Sequence, residues 1–184
     1  MTKRITVLAL TMLLAAGFAS AQHGGNHCGN CPHHQQHQQH QRQAQQPAAL
    51  QYNADGIETT IVAAFPKAKI AKKQAKWTEV YDGDRKLLGY AVYSKPASDG
   101  IKGFNGETPV MIALDAKKVI RGVYMLPNVE TPQFAQRVKD AGFLNAWNGL
   151  TLKKAKKKTV DAVSGATYTS RAVAQSVQAA LEKL

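Results

Sequence analysis

The sequence lacks an apolar run long enough to cross a bilayer, although it begins with a short one. That run extends from Ile5 through Ala16, short of the roughly 20 residues that a membrane-spanning helix needs. Lys3 and Arg4 precede it, and the small residues Ala19-Ser20-Ala21 follow it. This order is typical of a secretion signal, so we predict cleavage after Ala21 and a periplasmic or otherwise exported protein rather than a retained anchor. No cysteine follows the run at the position of a lipoprotein signal, so a lipid anchor is not indicated.

Acidic residues are scarce: 12 Asp and Glu stand against 24 Lys and Arg, a formal net charge of +12. Removing residues 1–21, which hold two basic and no acidic side chains, leaves +10. Basic stripes attract nucleic acid, anionic lipid or acidic proteins. No aromatic residue is interleaved with Lys153–Lys158 to stack on bases, and export also argues against nucleic acid. We interpret this run first as a solvated turn or strand end, and second as a docking site for an acidic redox partner or an anionic membrane.

Apolar side chains are rare between residues 22 and 49, where His, Gln, Gly and Asn predominate. Such a composition cannot offset chain entropy, so we predict a flexible segment over residues 22–54. It carries all six histidines and both cysteines of the chain. These are ligands that suit Zn, Cu or Ni, which makes a periplasmic metal-binding or metal-delivery protein our second functional hypothesis. The candidate ligands are His23, His27, Cys28, Cys31, His33, His34, His37 and His40.

No regular spacing among those ligands defines one closed metal site. A local disulfide, or polar sequence without a role, is an equal alternative in an oxidising compartment. A reactive thiol pair would need a folded context, and covalent haem attachment is disfavoured because Pro32, not histidine, follows Cys31.

Residues 55–184 show the hydrophobic spacing of helices and β-hairpins. Asp55 is placed to cap the first helix, which Pro66 ends. The arrangement predicts an α+β fold, an antiparallel sheet with segregated helices, in a single small domain over 55–184. The predicted segments are a helix from Asp55 to Phe65, strands at 77–81 and 87–93 around Asp82-Gly83-Asp84, strands at 110–114 and 119–125, and helices at 133–141 and 170–184.

Small and hydroxylated residues cluster just before the last predicted helix, over Asp161–Ser170, after a β-rich Thr159-Val160. The first N–H groups of a helix lack partners within it, and the helix dipole favours negative charge there. Gly165 and Ala166 let the backbone approach a ligand closely, while Ser164 and Thr167 offer hydroxyls. The segment is a phosphate site in outline, although an ordinary helix entrance has the same composition. It is not a nucleotide P-loop, because the lysine of that motif is missing.

Asp161 to Thr167 resembles the flavinylation motif D-x-x-(S/T)-G-A-T of the FMN-binding domain family. That family includes components of the Na⁺-translocating NADH:quinone reductase and of the Rnf complex. Asp161, Ser164, Gly165, Ala166 and Thr167 occupy every defined position. The resemblance extends from about Leu87 to Leu184 and includes a glycine loop that starts at Gly103. The glycine-rich continuation that follows Glu-Thr-Pro in the family is replaced here by Gln133-Phe134.

The resemblance implies an FMN whose phosphate a separate flavin transferase esterifies to Thr167. It implies that Asp161 is needed for modification, and that Glu130 and Thr131 lie near the flavin. We expect Thr169 to hydrogen-bond on the phosphate side. Because redox chemistry would belong to the flavin, we expect an electron carrier, served by a redox partner protein or membrane complex, rather than an enzyme with its own small substrate. Tyr168, Trp147, Tyr124 and Met125 are candidates for contacts with the flavin ring.

Overall fold

The computed structural model describes residues 48–184. The predicted signal segment and the candidate metal ligands lie outside these residues. Within them the chain forms five strands, four α-helices and one 3₁₀ helix. In chain order these are α1 (Thr59–Ala64), β1 (Ile70–Lys73), β2 (Thr78–Tyr81), β3 (Leu87–Tyr93), β4 (Val110–Asp115), β5 (Ile120–Met125), α2 (Pro132–Asp140), the 3₁₀ helix (Phe143–Trp147), α3 (Leu152–Ala155) and α4 (Thr167–Glu182).

The strands form one antiparallel sheet in the order β1-β2-β3-β4-β5, so each strand pairs with its neighbours in sequence. The predicted α+β class and both predicted hairpins are confirmed. An aspartate organises each turn: Asp82 Oδ1 accepts N–H bonds from Asp84 and Lys86, and Asp115 Oδ1 does the same from Lys117 and Val119. The left-handed residues of the turns are Arg85 and Lys118, with φ of 60° and 62°.

The core has two halves, one on each face of the sheet. On one face, α1 packs with Phe65, Val80 and Met111 in a buried cluster. On the other, α2, α4 and the 3₁₀ helix cover Ile112, Leu114 and their neighbours. Helices thus cover both faces, and the larger half of the core lies beneath α4, the helix that begins at the predicted motif.

The first helix is shorter than predicted, because its entrance is folded into a turn. Asn53 Oδ1, not the side chain of Asp55, accepts backbone N–H bonds, from Asp55 at 3.0 Å and Ile57 at 2.8 Å. Gly56 then takes a left-handed φ of 72°, and the helix begins only at Thr59. Pairing starts before Asp55, since the Gln51 carbonyl accepts the Thr59 N–H.

Three other segments differ from the predictions. The edge strand β1 was not predicted, because three of its four residues are exposed and show no alternation. Lys153 and Lys154 lie in the short helix α3, whose only buried residue is Ala155, rather than in a turn or strand end. The β-rich Thr159-Val160 forms no strand, and α4 begins at Thr167, three residues earlier than predicted. None of the helices within residues 48–184 is long and apolar enough to span a bilayer.

Candidate functional site: the entrance to the last helix

A tight turn over residues 163–166, called the motif turn below, immediately precedes α4. The Ala166 N–H donates to the Val163 carbonyl at 3.0 Å, and Gly165 between them has a φ of 73°. A positive φ at the third position of a four-residue turn favours glycine. Ser170 secures this turn to the helix: its Oγ accepts the Val163 N–H at 3.0 Å and donates to the Thr167 carbonyl at 3.2 Å. The motif is therefore held in one shape by its own helix.

The first turn of α4 leaves backbone donors without a cap. The Ser170 N–H donates to the Ala166 carbonyl, so Thr167, Tyr168 and Thr169 precede the first bond of the helix ladder. The residue before the helix, Ala166, has no side-chain oxygen and makes no capping bond. Three N–H groups and the positive end of a 16-residue helix dipole thus face the motif turn.

The two threonines of this turn have different surroundings. Thr167 is half-buried, whereas Thr169 is fully buried, with 0% of its surface exposed. The Thr169 hydroxyl donates to Glu130 Oε2 at 3.3 Å. Thr167 therefore keeps access to solvent, while the hydroxyl of Thr169 is engaged inside the protein. Ser164 and Gly165 are exposed beside them, and Asp161 is exposed too.

Glu130 lies at the centre of a buried network, with only 4% of its surface exposed. Besides the Thr169 hydroxyl, its carboxylate accepts the backbone N–H of Asn105 through both oxygens and that of Thr131 through Oε2, all at 3.3 Å. The Glu130 N–H in turn donates to Asn128 Oδ1 at 3.1 Å. The structure thus joins Glu130 and Thr131, predicted together as a loop near the flavin, to Thr169, predicted on the phosphate side.

Gly103 makes room for this carboxylate. A Cβ at Gly103 would overlap Glu130 Oε1 and approach the Thr169 Cα to 3.2 Å. Glycine is therefore required where the loop before β4 crosses the first turn of α4. The loop, the segment before α2 and the start of α4 are thereby fastened together at one point.

The side chain of Arg137, on α2, lies against the motif turn. A Cβ at Gly165 would overlap Nη1 of Arg137 and would lie 3.1 Å from its Cζ. Neither Arg137 nor Asn105 was predicted as a site residue from the sequence. Spacing places Arg137 three residues from Phe134 on one face of α2, but no sequence pattern shows that this face meets the motif.

Aromatic side chains are exposed near the same loop. Phe104 is 62% exposed and packs edge-to-face on Phe134, with ring centroids 5.1 Å apart. Tyr168, in the first turn of α4, is 67% exposed. Of the other predicted ring contacts, Trp147 is fully buried in the core, and Tyr124 and Met125 are half-buried. Among these candidates Trp147 has no surface to offer a ligand.

A cavity of about 570 Å³ borders the loop on which Asn105 lies. Gly106, Val129 and Leu126 contribute to its wall, together with Tyr93 and Lys95. Its lining is mostly apolar, but it includes neither Glu130 nor any residue of the motif turn.

Comparison with known proteins finds a family whose model matches the residues of this site. The family model described as "FMN-binding domain" matches residues 103–182, from the glycine at the Glu130 carboxylate to the end of α4. Residues 103–182 therefore resemble an FMN-binding domain. The match includes the Glu130 network, Arg137 and the whole motif.

Two individual proteins resemble the chain around the FMN-binding domain. One component of the Na⁺-translocating ferredoxin:NAD⁺ oxidoreductase complex of Acetobacterium woodii is 28% identical over 127 residues, covering 60% of this chain and 57% of the relative. The chain thus spans little more than half the length of that relative. The crystal structure of Shewanella oneidensis NqrC matches with 23% identity and a TM-score of 0.38, over 62% of this chain and 66% of the other.

The motif end of the FMN-binding domain suits the phosphate of FMN. Proteins commonly bind phosphate through the free N–H groups at a helix start and through guanidinium groups. The start of α4 has such N–H groups, and the guanidinium group of Arg137 lies at Gly165 beside them. Metal chemistry has no such support here: within residues 48–184 no group of three or more His, Cys, Asp or Glu side chains is placed to hold an ion.

Proposed function

We propose that the chain is an exported FMN-bearing electron-transfer protein whose flavin is joined through a phosphoester to Thr167. The observation that carries the proposal is the contrast within the first turn of α4. Thr167 is half-buried at the uncapped helix end and its hydroxyl has no hydrogen-bond partner within residues 48–184, whereas the hydroxyl of Thr169 is buried and bonded to Glu130. Ser164, Gly165 and Ala166 then surround the phosphate, and Thr169 and Glu130 support the turn from within.

Attachment requires an activated flavin donor and a transferase. With a flavin dinucleotide as donor, the bond that forms joins Thr167 Oγ to the flavin-side phosphorus. The bond that breaks is the pyrophosphate P–O bond, so AMP leaves and the hydroxyl proton passes to solvent. Relative to free FMN the product has lost one water. The uncapped N–H groups of α4 would stabilise the negative charge on the phosphate oxygens during this step.

The flavin would supply the redox chemistry, and this chain would bind and orient it. Phe104 with Phe134, and Tyr168 one residue beyond the ester, offer exposed aromatic surface for the ring. No general base needs to be assigned among the chain's residues. A role as a carrier therefore fits better than catalysis on a small substrate.

The partner that we propose for this carrier is supported by one relative and by the charge of the chain. The Acetobacterium woodii relative is named as part of a Na⁺-translocating redox complex. A membrane redox complex outside the cytoplasm is the partner we propose, with the amino-terminal segment directing export. Residues 48–184 carry 21 basic and 12 acidic side chains, so the docking face on the partner is expected to be acidic.

Two matched substitutions test the attachment. The chain is produced with a flavin transferase in cells that make flavin nucleotides, as wild type, Thr167→Val and Thr169→Val. We expect wild type and Thr169→Val to retain yellow colour after denaturation and to gain the mass of FMN less one water, with slower loading in Thr169→Val because its bond to Glu130 is lost. Thr167→Val should gain no mass, because valine matches threonine in shape but has no hydroxyl. Peptide mapping then assigns the modified residue.

The same experiment can contradict the proposal. A wild-type chain that stays colourless and unmodified beside an active transferase would show that this site does not accept flavin. A modified Thr167→Val chain would move the ester to another residue. Thr167→Ser retains a hydroxyl, and its partial loading would separate loss of the nucleophile from loss of the fold.

A further inference from the structure

We infer that Arg137 is the positive group that positions the flavin phosphate for attachment to Thr167. This inference rests on the proposed function and adds a residue that lies outside the motif. Arg137 belongs to α2, 30 positions before Thr167 in sequence. The phosphate would then be held between two helices, with backbone donors from α4 and a guanidinium group from α2.

The guanidinium group of Arg137 lies directly over Gly165. Its Nη1 and Cζ lie beside the α-carbon of this glycine, at the position that a side chain would occupy. Gly165 is exposed and stands two residues before Thr167. The absence of a side chain at this left-handed position thus lets the turn take its shape and also lets the cation reach it.

The charge of Arg137 is not used elsewhere in the described part of the chain. The ion pairs found within residues 48–184 are formed by Lys69 and Lys95. No side-chain hydrogen bond of Arg137 is formed there either. A guanidinium group is suited to two oxygens of one phosphate, because its planar N–H groups match them in pairs.

The position of Arg137 also explains why this charge is useful at the motif. The uncapped N–H groups of α4 provide only partial charges. The carboxylate of Glu130 contacts Thr169 in the first turn of α4 and adds a negative charge there. A full positive charge at Gly165 offsets that carboxylate and attracts a phosphate to the turn that precedes Thr167.

A second arginine is the main competitor. Arg171 is exposed on α4, four residues after Thr167, and helical side chains point back towards the amino-terminal end. Arg171 therefore has a route to the same phosphate, but no contact with the motif turn identifies it. The experiment includes it as a direct alternative.

The test measures the initial rate of flavin loading in the full chain with purified transferase and a fixed flavin donor. The variants are Arg137→Gln, Arg137→Lys, Arg171→Gln and, as matched control, Lys139→Gln, an exposed cation two residues further along α2. We expect Arg137→Gln to load about tenfold more slowly, the size of one lost charged hydrogen bond. Arg137→Lys should recover part of the rate, and Lys139→Gln should match wild type.

Two further readouts separate phosphate contact from a structural role. The difference between wild type and Arg137→Gln should shrink as salt is raised, because salt screens exposed charges. In fully loaded protein, the phosphorus-31 resonance should move in Arg137→Gln and stay in place in Lys139→Gln. The unfolding temperature should be the same in all variants, because Arg137 and Lys139 are both exposed.

The outcomes distinguish this inference from the proposed function. If wild type does not load, the proposed function fails. If wild type loads and Arg137→Gln loads at the same rate with an unmoved phosphorus resonance, the inference about Arg137 alone is wrong. A loss confined to Arg171→Gln would transfer the role to that residue and would also overturn it.

Discussion

At the scale of single residues, the contact between the loop before β4 and the start of α4 depends on the buried carboxylate of Glu130, which has little space around it. Gly103 lies where any side chain would displace Glu130 from the N–H of Asn105 and the hydroxyl of Thr169. We expect Gly103→Ala to lower the free energy of unfolding by about 1–3 kcal/mol, the usual cost of overpacking. Flavin loading should fall as well, because the first turn of α4 would shift. Urea unfolding and bound-flavin absorbance measure the two effects.

Gly83→Ala is the matched control for that substitution. The nearest atom to its Cβ would be a lysine methylene 4.0 Å away, so its effect should stay within about 0.5 kcal/mol. Equal stability of Gly103→Ala and wild type would show that the loop can yield, and that Glu130 does not fix the position of α4.

The residue scale also shows what the sequence could predict about the site. The motif from Asp161 to Thr167 identified the segment, since its small and hydroxylated residues are contiguous. The different surroundings of Thr167 and Thr169 could not be predicted, because they arise from burial of Thr169 against Glu130, 39 positions away. Arg137 was missed for the same reason: its contact with Gly165 depends on how α2 packs.

At the scale of elements, the far end of α4 is fastened to the sheet by one lysine. The Lys183 ammonium donates to the carbonyls of Tyr93, Ser94 and Lys95 at 3.3, 3.0 and 2.8 Å, at the end of β3 and just beyond it. Partial burial lowers the pKa of Lys183, and the charge of Asp99 acts in the opposite direction. The helix that presents Thr167 at its start is thus held at its end.

Replacement of Lys183 by methionine tests this attachment. Methionine keeps an unbranched apolar chain but removes the donors, so we expect a loss of about 1–2 kcal/mol in the free energy of unfolding. Hydrogen exchange should increase in the last turns of α4. Lys156→Met, at an exposed position in the Lys153–Lys158 run, is the control and should leave both measurements unchanged. A Lys183→Met variant as stable as wild type would mean that packing of α4 on β4 is sufficient.

Elements were predicted well wherever apolar residues form a run or recur at a regular spacing. The strand β4 is a nearly continuous buried run, and the helices α2 and α4 have apolar residues at helical spacing. The edge strand β1 and the start of α1 were missed or misplaced. In β1 three residues are exposed, and before α1 the side chain of Asn53 competes with helix formation by accepting two backbone N–H bonds.

At the scale of the whole molecule, flavin and metal functions are expected to be separable along the chain. All six histidines and both cysteines precede residue 48, while the motif, the Glu130 network and both halves of the core lie within residues 48–184. The first backbone pairing of the described part begins at Gln51 and Tyr52, which bond to the start of α1. A deletion that ends at residue 47 therefore leaves the contacts of the core and of the motif turn in place.

Deletion of residues 22–47, with the predicted signal retained, should leave flavin loading and the unfolding temperature at their wild-type values. Any binding of Zn²⁺, Cu²⁺ or Ni²⁺ that wild type shows in equilibrium dialysis should disappear in the deleted chain, because the imidazole and thiolate ligands are lost. A full-length chain with the six histidines changed to glutamine controls for the length of the segment. If the deleted chain binds as much metal as wild type, the segment is not the metal site; if it also loses flavin, residues 22–47 contribute to recognition by the transferase.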